Sequence, residues 1–126
     1  MRLLLDTHVV LWQRTGRRSL GAKTRDALTA ASDVAFSVVS FAEIGIKVAI
    51  GQLTIPDDFH QRVLDSGVRI LGLSPDHGLA VGRLPLHHRD PFDRLLVAQA
   101  QKDDFTLVTA DAELAAYDVS ILDPLT

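Results

Sequence analysis

Five short strand-like runs punctuate the chain, at residues 2–5, 34–38, 68–71, 106–108 and 119–122, with helical patterns in the intervals between most of them. That alternation restricts the fold more than any other feature, because strands that alternate with helices form a parallel sheet covered on both faces. The first run is apolar and breaks at Asp6, after which residues 7–13 read as a helix. Residues 14–19 are basic, contain Gly16 and read as a loop, with Ser19 the expected cap of a helix over residues 20–31. Ser40 and Glu43 have the spacing of a capping box, which would open a helix through Ile44, Lys47 and Val48 to a stop at Gly51. A further helix is expected from Pro56 to near Gly67, and another from Ser74-Pro75 that fades before Pro85. Residues 86–89 form a polar connection, and Asp90-Pro91 has the form of an N-cap followed by proline at the first helical position. Phe92, Leu95, Leu96 and Ala100 give that helix an apolar face, and a short helix over residues 111–116 precedes the last strand.

The 126 residues show no repeat and no linker, so one domain over 1–126 is expected. Hydrophobic residues at 47% and charged residues at 23% exclude intrinsic disorder. The lack of cysteine excludes a disulfide framework and thiolate metal sites, so any metal must be held by oxygen or imidazole, and it fits a reducing cytoplasm. Arg2 is followed by only three leucines before Asp6, too few for a signal peptide or a membrane span, so a cytoplasmic protein that keeps this N-terminus is expected. A net charge of −3 and a pI near 5.9 argue against broad electrostatic grip on nucleic acid. Two local basic groups remain available for phosphates: Arg14, Arg17, Arg18, Lys23 and Arg25, and Arg83, His87, His88, Arg89 and Arg94.

The informative residues are Asp6, Glu43, Asp93 and Asp111. Asp6 and Asp111 follow strands, and Glu43 and Asp93 lie near the starts of helices, so all four should face the crevice beyond the carboxyl ends of a parallel sheet. Taken singly, each is better explained as a helix cap or as a charge near the positive end of a helix. Asp90 and Asp93 illustrate the ambiguity: Asp90 fits a cap, Asp93 could reach back in a capping-box manner, and spacing alone does not choose. The joint pattern shifts the balance, because capping would use Ser, Thr, Asn and Asp interchangeably, whereas every candidate here carries a carboxylate. Gathered together they would repel and raise one another's pKa values unless a cation offset them, and hard divalent cations prefer oxygen ligands. The five histidines lack H-E-x-x-H spacing, which argues against zinc hydrolysis. Lys47, four residues after Glu43, shares its helical face and reads first as an ordinary ion pair, with a phosphate contact as the alternative. Trp12 and Phe41 read as core residues.

These segments resemble the PIN domain and, within it, the VapC-type toxins of bacterial and archaeal toxin–antitoxin pairs. LLLDTHVVLW, residues 3–12, is similar to the first motif and places Asp6. SFAEIGIKVAIGQL, residues 40–53, is similar to the second and places Glu43. HHRDPFDRLLVAQA, residues 87–100, resembles a segment of one VapC branch with Asp93 in the catalytic position. LVTADAELAAY, residues 107–117, resembles the last motif, with Asp111 and the supporting hydroxyl of Thr109. His8 departs from the small polar residue of many PIN domains. The resemblance implies an α/β fold, a PIN-like three-layer α/β/α sandwich around a parallel sheet of four to five strands. It also implies Mg2+- or Mn2+-dependent cleavage of an RNA substrate with Asp6, Glu43, Asp93 and Asp111 as catalytic and metal-holding residues. A homodimer and a cognate VapB-type antitoxin are implied as well, and the short apolar run before Asp6 adds the expectation of no membrane association. Water would be the nucleophile, with Thr109 orienting Asp111 or a water.

Rival α/β assignments fail on particular residues. A phosphoacceptor receiver domain needs an acidic acceptor after a middle strand, where Gly72, Leu73 and Ser74 stand, and a haloacid-dehalogenase-like phosphatase needs D-x-D where His8 stands. His88-Arg89-Asp90 matches a kinase catalytic loop by chance, since no glycine-rich nucleotide loop accompanies it. A non-catalytic PIN-like module that binds RNA or protein is the other reading, and loss of the acids would mark it.

Overall fold

The computed structural model describes residues 1–16 and 19–126, with the backbone alone at Arg14 and Thr15. Arg17 and Arg18, two of the six residues of the expected basic loop, lie outside the described residues. Five parallel strands, β1 (Arg2–Leu5), β2 (Asp33–Ser37), β3 (Arg69–Leu71), β4 (Thr106–Val108) and β5 (Ile121–Leu122), form one sheet in the order β3-β2-β1-β4-β5. The central strand β1 pairs on both edges, Leu4 lying opposite Ala35 and Leu107. A strand covered on both faces needs apolar residues at successive positions, which is why Leu3, Leu4 and Leu5 run together.

Their side chains divide between two cores. Leu3 and Leu5 join Phe36 and Val108 under α1 (Thr7–Thr15), α2 (Ala22–Ala30) and α4 (Phe59–Asp65), whereas Leu4, Ala35 and Leu107 face Leu96, Val97 and Ala100. The latter three belong to α6 (Pro91–Asp103). Helix α3 (Val38–Ala49) contributes to both cores, with Val39 in one and Ile44 in the other. The fold is therefore the expected three-layer α/β/α sandwich around a parallel sheet.

Several helix starts differ from the sequence reading. Helix α3 is capped by Ser37, whose hydroxyl accepts from the Val39 N–H at 3.0 Å, and not by Ser40. Strand β2 runs into α3 without a loop, so the cap falls one turn early, and the Ser40 hydroxyl accepts instead from Thr7 Oγ1 at 2.8 Å. Glu43 thereby moves beyond the first turn. Helix α2 begins after Gly21, which has no side-chain cap, rather than after Ser19. The reason is tertiary: the Gly21 N–H donates to the Pro124 carbonyl, and a Cβ there would lie 2.0 Å from the Thr126 carbonyl carbon. Helix α4 starts at Phe59 rather than Pro56, and α5 (Pro75–Ala80) passes into a 3-10 turn, Val81–Arg83. The expected helix at 111–116 is a 3-10 turn over Ala112–Ala116. Among the described residues no helix is long and apolar enough to cross a membrane.

Candidate active site

The strand order reverses direction between β1 and β4, so the segments leaving those two strands diverge and open a crevice at the carboxyl edge of the sheet. Asp6 is the residue after β1, and Thr109 and Asp111 follow β4. Asp6, Glu43, Asp93 and Asp111 all line one cavity of about 230 Å³, with Asp90 and Lys47 also on its wall.

Three of the acids in this region are helix caps. Asp6 Oδ1 accepts from the Thr7 N–H at 2.7 Å, Asp90 Oδ1 from the N–H groups of Phe92 and Asp93, and Asp111 Oδ1 from the Glu113 N–H at 3.0 Å. Capping and site-building thus coincide at Asp6 and Asp111, each of which keeps a second oxygen for other partners. Glu43 and Asp93 cap nothing. Asp93 does not reach back to the Asp90 N–H, because that group donates to His88 Nδ1 at 3.2 Å. Asp90→Ala is accordingly expected to cost about 0.5–2 kcal/mol in a chemical melt, the range for a lost N-cap, with most cleavage activity retained.

The second oxygen of Asp6 accepts from Thr109 Oγ1 at 2.7 Å, and Thr109 Oγ1 in turn accepts from the Asp111 N–H at 3.1 Å. The threonine therefore holds the Asp6 carboxylate and the backbone of the Asp111 turn, a different contact from the one expected with the Asp111 side chain. His8, an open question in the sequence, places Nδ1 3.4 Å from Asp6 and accepts the Ala110 N–H on Nε2. Its ring lies against Trp12, and Phe41 packs on the core with edge contacts to Phe36 and Phe59. Lys47 Nζ meets Glu43 Oε2 at 3.0 Å, while Glu43 Oε1 is buried with no hydrogen-bond partner among the described residues.

Burial and mutual repulsion show in the acidities. Desolvation, followed by the charges of Asp6 and Asp90 and then Glu43, pushes Asp93 up to about 7, against a smaller pull from His88. Asp6 is also raised, chiefly by burial and slightly by Glu43, although His8, Thr109 and Thr7 work the other way. Both shifts disfavour the charged carboxylate, and a cation placed beside Asp6 and Asp93 would act against them.

The sequence reading missed His88, which it placed only in a polar basic connection. Nε2 of this half-buried ring lies 3.2 Å from both Asp93 and Asp111 and 3.5 Å from Glu113. Burial opposes its charge, but the hydrogen bond to Asp111 and the charges of Asp93, Asp111 and Glu113 outweigh that and raise its pKa. Its ring is oriented by the Asp90 backbone N–H, which donates to Nδ1, a contact that the sequence does not announce. Arg94, grouped with possible phosphate contacts, instead spends its guanidinium on the carbonyls of Val81, Leu84, Pro85 and His88 and on the Tyr117 hydroxyl.

A family model for the PIN domain matches residues 3–120, nearly the whole chain. The chain belongs to the PIN-domain family. This PIN domain is 30% identical over 118 residues to Ribonuclease VapC22 of Mycobacterium tuberculosis, the match covering 91% of each chain. Its fold is also that of chains in two solved complexes. One is VapBC2 from Rickettsia felis bound to a promoter DNA fragment, with a TM-score of 0.74, 17% identity and coverage of 97% of this chain and 98% of that one. The other is VapBC-1 from nontypeable Haemophilus influenzae, with a TM-score of 0.72, 17% identity and full coverage of both.

Proposed function

We propose that this PIN domain is a magnesium- or manganese-dependent endoribonuclease, a VapC-type toxin that acts as a homodimer and is neutralised by a cognate VapB-type antitoxin. The observation that carries the metal site is the buried, unpartnered Oε1 of Glu43 in a cavity shared with Asp6, Asp93 and Asp111. An orphaned carboxylate oxygen beside three more carboxylates is a donor set of hard oxygens, suited to Mg2+ or Mn2+ and lacking the thiolates that softer metals favour. Asp6 and Asp93, with Glu43 or Asp111, would hold the ion.

A bound divalent cation supplies a lowered pKa for an attacking water and charge to offset the phosphodiester transition state. The chain's own residues prepare that chemistry. Thr7 and Thr109 fix the Asp6 carboxylate, so little reorientation remains when a cation arrives. Lys47 offsets one Glu43 oxygen and leaves the other free. RNA as substrate is supported by the ribonuclease identity of the Mycobacterium tuberculosis relative. Since water is the nucleophile, the ribose 2′-hydroxyl has no chemical role, and preference for RNA rests on shape and contacts. The presence of all four acids in one cavity speaks against a non-catalytic module.

The antitoxin part has an electrostatic basis: an acidic cavity receives an arginine or lysine side chain, which would block substrate and cation together. Incubation of purified protein with total RNA in Mg2+, Mn2+ or EDTA tests the activity. The expected result is cleavage in either metal, none in EDTA, and ends carrying 5′-phosphate and 3′-hydroxyl groups. Cleavage that persists in EDTA, or 2′,3′-cyclic phosphate ends, would overturn the proposal.

A further inference from the structure

His88 stands at the centre of the carboxylates, and its ring could be taken for a metal ligand with Asp111 and Glu113, since donor atoms of the three lie within 4.8 Å of one another. The hydrogen bonds say otherwise. The Asp90 backbone N–H points at Nδ1, so that nitrogen must offer its lone pair. A neutral imidazole whose Nδ1 accepts carries its proton on Nε2, and a protonated Nε2 has no lone pair for a cation. It is a donor, and it faces Asp93 and Asp111 at equal distances of 3.2 Å.

The placement of the ring is itself built. The His88 N–H donates to the Tyr117 hydroxyl at 3.0 Å, and Arg94 Nη1 donates to the same hydroxyl at 3.2 Å. The neighbouring His87 ring packs edge-on against Tyr117, with centroids 5.2 Å apart. Arg94 also ties down four carbonyls from Val81 to His88, so the segment before α6 is held from both ends. Asp93 comes from α6 and Asp111 from the turn after β4, and among the described residues no other hydrogen-bond donor bridges the two carboxylates.

We propose that His88 is a positioning residue of the metal site, an Nε2–H donor that holds the Asp93 and Asp111 carboxylates together and so fixes their orientation at the cavity. This rests on the reading of that cavity as a cation site. Donors behind ligating carboxylates set ligand orientation, and their loss weakens metal affinity by about 10–100-fold. Glutamine has an N–H at about the reach of Nε2 and can replace the donor, whereas alanine cannot.

The test is Mn2+ binding to the whole protein, wild type, His88→Ala and His88→Gln, by titration calorimetry, with pulsed electron paramagnetic resonance of the bound Mn2+ and a thermal melt of each variant. The expected result is a Mn2+ dissociation constant raised about 10–100-fold in His88→Ala and largely restored in His88→Gln. The wild-type spectrum should contain no imidazole-nitrogen coupling that His88→Gln abolishes. An unchanged affinity in His88→Ala, equal losses in both variants, or a nitrogen coupling lost in His88→Gln would each overturn the positioning role, the last by making His88 a ligand. If His88→Ala fails to fold, the His88→Gln affinity and the spectra still decide. Wild-type protein that binds no Mn2+ would remove the cation site and this role with it, whereas wild-type binding with an unaffected His88→Ala removes the role alone.

Discussion

Asp93→Asn is expected to reduce RNA cleavage to below a hundredth of the wild-type rate, a loss of about 2.7 kcal/mol or more in transition-state stabilisation, while the protein stays folded. The two halves of this expectation have one cause. Asp93 caps no helix, lies in the acid-lined cavity and is so disfavoured as an anion that its pKa reaches about 7. An amide resembles the protonated carboxyl that the metal-free fold already tolerates, so folding loses little, but it cannot supply the negative oxygen a cation needs. Asp6→Asn should behave similarly in activity, though its burial and its bond from Thr109 make its folding more sensitive. Initial rates on total RNA, beside circular dichroism spectra, separate loss of chemistry from loss of structure. Cleavage by Asp93→Asn at the wild-type rate would end its assignment.

In EDTA the stability that Asp93 contributes, read as wild type minus Asp93→Asn, is expected to fall as pH rises from 3.8 to about 7, and added Mn2+ should reverse the loss. In the unfolded chain the Asp93 proton leaves near 3.8, while in the fold it is held to about 7. Across that window the folded state binds more protons, so its stability advantage, full below 3.8, is lost as pH climbs through about 7. The difference for this one residue is on the order of 2–4 kcal/mol. Asp6, also raised, acts in the same direction. Asp33, held low by Arg69 and Arg2, acts in the opposite one, so the informative quantity is wild type minus Asp93→Asn at each pH. Mn2+ at a hundredfold above its dissociation constant adds about 2.7 kcal/mol to the native state. Asp93→Asn should therefore melt at or above the wild-type temperature in EDTA at neutral pH and gain less from Mn2+. Helix caps alone would give near-neutral Asn substitutions and melts indifferent to Mn2+.

Much of this architecture is readable from local rules. The run of three leucines ending at Asp6 identifies a strand buried on both faces, and Asp90-Pro91 marks the start of α6 correctly, because a cap and a fixed φ act within a few residues. The errors occur where distant contacts override local preference. Ser40 matches a capping motif but is spent on Thr7, thirty-three positions away, and Gly21 replaces Ser19 at the start of α2 because residues 124–126 pack there. The gathering of Asp6, Glu43, Asp93 and Asp111 at one edge was legible from their places after strands and near helix starts in a parallel sheet, whereas the strand order that brings them to one cavity was not. His88 was missed because its partner Asp111 lies 23 residues on, in the turn after β4, and a basic segment beside an acidic site reads equally well as a phosphate contact.

The central claim is that these carboxylates form one cation site. Titration of Mn2+ into metal-free wild type and into an Asp6→Asn/Asp93→Asn double variant, at a pH above 7 where Asp93 is ionised, addresses it most directly. The account predicts saturable wild-type binding that the double variant loses. Wild-type protein that takes up no Mn2+, or a double variant that binds it as tightly, would contradict the account.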